Sequence, residues 1–508
     1  MGDFPTQRLN ITAAELAVEA ERLLSTGMRP ALVAAHQDPD VFRIVYLFVG
    51  RESARRTELC VNVQKSVPTV PSIASVSFPI GRFEREMRDL YGVVPAGHPL
   101  PHRLVRHGHW PTGWYPMRRD LEVPPPFAES GESYPFATIS GNGVYEIPVG
   151  PIHAGLIEPG HFRFTVVGET ILRMKARLWF LHKGIERLFE GRTPSQGVEL
   201  AERISGDTAV GHGWAYAAAV EDALGITVPS NVGLLRLVLL ELERLHNHVS
   251  DLGMLCNDVG YGVINTQALA IKERLLRLNE TVTGHRLLRG AIAPGITAVR
   301  QLPSVAEIEE IGADIAELAS IALGNAGVLD RFTGTAILDR AAGLDVGVLG
   351  YVARASGIFE DARNSHPLWD VAGMDPEWFR LSDDFATGDV LARFRVRVQE
   401  CVGSVAAIVG LLPVVREVAA TGWHGVGAGA DTGAAGGSTS GIGMIEGWRG
   451  AITHRVEIGA DGLLSRVKIV DPSFFNWPAL PLALADTIVP DFPLVNKSFN
   501  LSYAGNDL

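Results

Sequence analysis

The chain has 508 residues, enough for two or three domains with sizeable cores. Its 57 acidic residues outnumber its 45 basic ones, for a formal charge of −12, which excludes a general nucleic-acid binder. Its three cysteines, Cys60, Cys256 and Cys401, are far apart; they exclude a disulfide framework and cannot supply the four thiolates of an iron–sulfur cluster.

The opening segment, TAAELAVEAERLL, reads as an ordinary amphipathic helix and not as a leader. RPALVAAH, FRIVYLFVG, ELCVNVQK and SIASVSFPI read as strands, and FEREMRDLYG as a helix, so residues 1–120 form a small α/β unit. Residues 121–143 carry prolines, glycines and polar residues without periodicity and read as a linker. From residue 144 to 508 a short β region (EIPVGPIH, HFRFTVVGET) precedes long helical patterns. RMKARLWFLHKGIERLFEG (173–191) places Leu178, Leu181, Ile185, Leu188 and Phe189 on one helical face. GLLRLVLLELERLHNHVSDLG (233–253) is apolar around much of its circumference and belongs in a bundle core. Further helices are predicted near 266–290, 305–327, 347–362 and 388–420. The apolar run 403–415 falls short of the ~20 residues of a bilayer span and contains Pro413. The glycine-rich stretch 422–443 lacks the Lys-Ser/Thr ending of a phosphate-binding loop, and 444–472 alternates like strands. The fold class expected is α+β: an N-terminal α/β domain, then a helical-bundle domain with a small β region.

Between two helical patterns lies ERISGDTAVGHGWAY (202–216), where Asp207 or Thr208 is suited to cap the helix that follows. Its surroundings carry a family resemblance. FEREMRDLYGVVPAGHP (83–99) resembles the signature of the small hydrophilic subunit of respiratory complex I. VGPIHAGLIEPGHFRF, LWFLHKGIERLFEGR, LLELERLHNHVSDLG, GYVARASGIFEDARNSHP, ARFRVRVQE and IEGWRG resemble the large hydrophilic subunit of complex I. They also resemble its relative, the catalytic large subunit of membrane-bound nickel–iron hydrogenases. The two units fused in this order look most like the large subunit of formate hydrogenlyase and of related energy-converting hydrogenases.

In those hydrogenases two CxxC pairs hold nickel and iron. The early RxCGxC pattern, with its downstream His, overlays Arg203, Ser205, Gly206, Thr208 and His212, and the late pair overlays Ser502 and Gly505. All four thiolate positions are therefore Ser, Thr or Gly, and neutral hydroxyls do not replace soft, charged thiolates on nickel. No metal is expected on this chain; Ser205, Gly206, Thr208, Ser502 and Gly505, with His212, are expected to line a vacated polar cavity able to hold water or a small polar group. In complex I the same place is a quinone headgroup site built on His, Asp and Tyr. His248 followed by Asp258 has the family's spacing, and Asp258 would charge-couple His153 or His161, while the tyrosine position overlays Gly206.

Glu158 and Glu186 are candidates for a proton relay, with a helix-surface salt bridge the favoured role for Glu186. Arg354, Asp361 and Arg363 are expected to form a buried structural ion network, and Asp389, Arg393, Arg397 and Glu400 to be structural at helical spacing. The resemblance implies an oxidoreductase subunit on the cytoplasmic face of the membrane, peripheral, beside a small iron–sulfur subunit that holds the cluster. Antiporter-like membrane subunits and a formate dehydrogenase module are the further partners it implies, and quinone the acceptor. The alternatives are a structural or coupling subunit of an ion-pumping complex, and a genuine formate hydrogenlyase hydrogenase subunit.

Overall fold

The computed structural model describes residues 6–121, 125–128, 134–154, 157–368, 375–421, 423–424 and 437–508. The fold is α+β. The N-terminal unit is a four-stranded sheet of β1 (Thr6–Ile11), β2 (Met28–Gln37), β3 (Val41–Gly50) and β4 (Arg56–Gln64), in the order β1-β4-β3-β2. β1 pairs parallel to β4 and the other pairs are antiparallel. β2 and β3 are buried on both faces, which is why they read as unbroken apolar runs. α1 (Leu16–Ser25) and α2 (Phe78–Tyr91) pack against this unit. SIASVSFPI, read above as a strand, is instead a turn that leads into the first turn of α2, where Pro79 sits at a permitted position.

In the larger unit, β5 (Val144–Val149), β6 (His161–Val167) and β7 (Thr170–Arg177) form an antiparallel sheet. β7 takes up the first part of 173–191, so the helix expected there is reduced to Ile185–Phe189. Trp179 and Gly184 both adopt left-handed backbone between them, which a helix cannot contain. The bundle comprises α3 (Ala209–Leu224), α4 (Ser230–Asp258), α5 (Gly262–Thr283), α6 (Val305–Leu323) and α7 (Val390–Thr421). The helix expected over 347–362 is only Gly350–Ala355, followed by a turn. A second antiparallel sheet, β8 (Thr439–Gly447), β9 (Gly450–Ile458) and β10 (Leu464–Val470), lies against α3. A Cβ at Gly443 would stand 1.9 Å from the Ala215 carbonyl oxygen, so only glycine permits this strand-on-helix approach. Most of the glycine-rich stretch 422–443 and part of the linker 121–143 lie outside the described residues.

α7 has the length and composition of a membrane span over Val390–Ala420, yet half of that window is buried. It packs on α4 and α6 and carries Arg393, Arg397 and Glu400 into the interior. The two units meet through charge as well as apolar surface: Arg43 and His36 hold Glu457, Arg455 bridges Glu58 and Glu457, and Arg29 pairs with Glu360.

Candidate functional site

Three backbone features converge at the segment before α3. Residues 205–208 turn into α3, Asp471 caps the short helix Pro472–Asn476, and Ser502 caps the C-terminal helix Tyr503–Asp507 through its bond from the Gly505 amide. Ser205 and Ser502, 297 positions apart, then meet hydroxyl to hydroxyl at 2.8 Å. These two hydroxyls, expected to line a vacated polar cavity, therefore bond each other. Gly505 packs closely on its neighbour, because a Cβ there would stand 2.5 Å from the Asp471 carboxyl carbon. Gly206 faces outward, with open space where a side chain would project.

Thr208 occupies the N-cap of α3, but its hydroxyl donates to Asp207 at 2.9 Å instead of capping. The cap is supplied by a residue the sequence reading missed. Glu243 of α4 accepts from the Val210 and Gly211 amides at 2.7 and 3.0 Å. Burial raises its carboxyl to about 8 against those two bonds. Asp207 behaves oppositely. Burial pushes its carboxyl up, but the charge of Arg449 and a two-pronged bond at 2.7 and 2.8 Å hold it well below the usual range. Its side chain is 40% exposed, so Asp207 and Gly206 are the edge of the site that faces outward.

Behind this edge runs a buried chain. His212 Nε2 bonds Asp471 at 3.0 Å, and its Nδ1 bonds His454 Nε2 at 3.1 Å. His454 Nδ1 has no partner among the described residues. Burial, then His212, hold His454 neutral. Asp471 is pushed up by burial and brought below its usual range by His212 and Arg449.

A second polar centre lies between α4, α7 and β8. Arg354 bonds Glu400 at 2.7 Å and Glu446 at 2.9 Å and reaches Asp361 at 3.4 Å. Arg363 bonds Glu241 at 3.0 Å and Asp361 at 2.6 Å, and Arg244 links Glu241 to Glu400. His248 joins through Nε2 to Glu400 at 2.7 Å. All of these groups are buried. Asp389 caps α7 by accepting from Ala392, while Arg393 and Arg397 reach Ser498, and Arg397 pairs with Asp251. Glu446 and Arg449 belong to the IEGWRG stretch, the signal from which both centres could have been read.

The remaining predicted residues do not join either centre. His153 Nε2 bonds the Gly160 carbonyl at 2.8 Å and His161 Nδ1 bonds the Gly150 carbonyl at 3.1 Å, so both close one loop. Asp258 lies at the exposed end of α4, within the field of Lys497, and no bond joins it to either histidine among the described residues. Glu158 accepts from the Ala504 amide. Glu186 is buried and pairs with Arg466 and Lys468, which corrects its reading as a helix-surface salt bridge.

The donor set does not fit a nickel–iron centre. Its positions are neutral hydroxyls and a glycine, and the two serines are bonded to each other. The cysteines are elsewhere: Cys60 in β4, Cys256 in α4 and Cys401 in α7. Burial raises the Cys256 thiol to about 12 and Cys401 further.

Sequence families match this chain in three blocks. Residues 9–126 match the respiratory-chain NADH dehydrogenase 30 kDa subunit, 183–255 the nickel-dependent hydrogenases, and 258–419 the respiratory-chain NADH dehydrogenase 49 kDa subunit. Hydrogenase-4 component G of Escherichia coli K12 is 32% identical over 84% of this chain and 73% of its own length. The chain belongs to that family. Formate hydrogenlyase subunit 5 of the same organism is 29% identical over 91% of this chain and 81% of its own. The fold is shared with a chain of the membrane-bound sulfane sulfur reductase, an archaeal respiratory membrane complex. That match has a TM-score of 0.63 and 23% identity, and covers 72% of this chain and 99% of the other. This chain thus joins complex I-like and hydrogenase-like blocks, and its named relatives are components of multisubunit hydrogenases.

Proposed function

We propose that this chain is the large hydrophilic subunit of a membrane-associated, complex-I-like oxidoreductase that works without a nickel–iron centre. It passes electrons from a small iron–sulfur partner subunit to quinone or another acceptor. The observation that carries this reading is the Ser205–Ser502 bond, which puts two hydroxyls in contact at a place where hydrogenases need thiolates. The partner cluster docks at the outward edge formed by Gly206 and Asp207. Membrane attachment runs through antiporter-like partners on the cytoplasmic face. By analogy with the formate hydrogenlyase relative, a formate dehydrogenase module is the electron source.

A second reading, a coupling subunit with no chemistry of its own, is favoured by the separation of Asp258 from His153 and His161. The test is nickel per chain in the natively purified complex, followed by quinone reduction. The expected result is no nickel, with quinone reduced by the purified complex. Stoichiometric nickel overturns the proposal and restores a hydrogenase. No nickel and no electron transfer to quinone or any other acceptor leaves the coupling role.

A further inference from the structure

The two polar centres are joined by a short stretch of backbone, the end of β8 and its turn into β9. We propose that this stretch, residues 446–449, transmits a change of charge at the outward Gly206–Asp207 edge to the ionic centre between α4 and α7. The inference rests on the function proposed above only for the source of that charge, an electron arriving at the edge from the partner cluster.

The stretch grips both sides. On the interior side the Glu446 carboxylate accepts from Arg354 at 2.9 Å and from the Ala362 amide at 3.0 Å. The Glu446 and Gly447 carbonyls accept from Arg244 at 2.7 and 3.3 Å. On the corner side the Trp448 indole N–H reaches the Thr208 hydroxyl at 3.1 Å and the Asp207 carbonyl at 3.2 Å. Arg449 adds its two-pronged bond to the Asp207 carboxylate and donates from Nε to the Asn500 carbonyl at 2.6 Å. Asp207 is thus held by this turn through both its side chain and its backbone. The turn also has little slack. Gly447 pairs with Gly450, and a Cβ at Gly350 would stand 2.0 Å from the Arg449 carbonyl oxygen. Close packing of this kind passes a displacement on instead of absorbing it.

The buried Trp448 ring fills the space between the centres. It stacks on Tyr351 with centroids 6.3 Å apart and stands edge-on to His248 at 5.8 Å. His248 carries that contact to Glu400, its polar anchor; its buried Nδ1 has no partner among the described residues. Arg449 is the ion-pair partner of Asp207, so negative charge arriving beside Asp207 draws on the same guanidinium. A shift of Arg449 moves Trp448 and, through the shared backbone, Glu446.

The experiment uses the full-length chain, with Asp207→Asn as a change of charge that needs no electron transfer. Residues that share no partner normally act additively on stability. The urea-midpoint shift caused by Glu446→Gln is expected to differ by about twofold between the wild-type and Asp207→Asn backgrounds, and to become the same in both once Trp448→Phe removes the indole N–H. Additive effects overturn the coupling. Coupling that survives Trp448→Phe overturns the turn as its route, since a direct field between the two carboxylates would persist. Amide hydrogen exchange gives a second reading that needs only the Asp207→Asn chain. The Ala362 amide, held by Glu446, should exchange about tenfold faster, while the Leu104 amide, held by Asp89, keeps its rate. An unchanged Ala362 amide, or an equal change at both, overturns the proposal. None of these readings depends on nickel content or on quinone reduction, so the coupling stands or falls apart from the reaction proposed above.

Discussion

The Ser205 corner and the α4–α7 interior are both polar and buried, but they reach neutrality by different routes. In the interior, Glu241, Asp361, Glu400 and Glu446 face Arg244, Arg354 and Arg363, with His248 bonded to Glu400. Four carboxylates against three arginines leave one negative charge to be offset by a proton, and burial followed by the Asp361 charge raises Glu446, the member that holds it most readily. In the corner, the Ser205 and Ser502 hydroxyls bond each other. There a single arginine serves Asp207, a histidine serves Asp471, and Glu243 is held by amides alone. The dense ionic pairing makes the interior intolerant of loss; the corner, held mostly by neutral bonds, should yield more easily.

The largest break in that comparison is Arg354→Ala. It strips Glu400 and Glu446 of a shared partner in a buried site, and should cost about 3–5 kcal/mol in urea unfolding of the chain. A loss below about 1 kcal/mol would mean the interior is held by packing and not by charge. Glu243→Gln comes next and sharpens the comparison through pH. Folded Glu243 keeps its proton up to about pH 8, whereas the unfolded chain releases it near 4.5. Between those values the native state binds more protons, so stability falls as pH rises, by up to about 1.4 kcal/mol per pH unit. Gln has no proton to lose, and the stability–pH curve should flatten over this window; an unchanged slope would show that another group titrates there. Ser205→Ala is the smallest change: it removes the hydroxyl bonds to Ser502 and Asp207 while Ser502 keeps the Gly505 amide, for about 1–2 kcal/mol.

Local sequence sufficed where one element buries its own pattern. The run LLELERLHNHVSDLG specifies α4 because an apolar circumference fits only a helix surrounded by others. β2 and β3 were legible because both their faces are covered. SIASVSFPI and RMKARLWFLHKG misled because short apolar stretches fit a strand or a helix equally well, and sheet pairing and left-handed turns decided between them.

The candidate site divides along the same line. Sequence by itself determined that Ser205, Thr208, Ser502 and Gly505 carry no thiolate, since residue identity sets ligand chemistry. It also determined the fusion of two complex-I-like units and the α+β class, through motifs that persist in order along the chain. Only the tertiary structure decided that Ser205 closes on Ser502 and that Glu243 caps α3. It alone placed His212 on Asp471 and set Asp258 apart from both loop histidines. Each of those facts joins residues from tens to hundreds of positions apart, and such pairings are fixed by how helices and sheets pack, which no local pattern encodes.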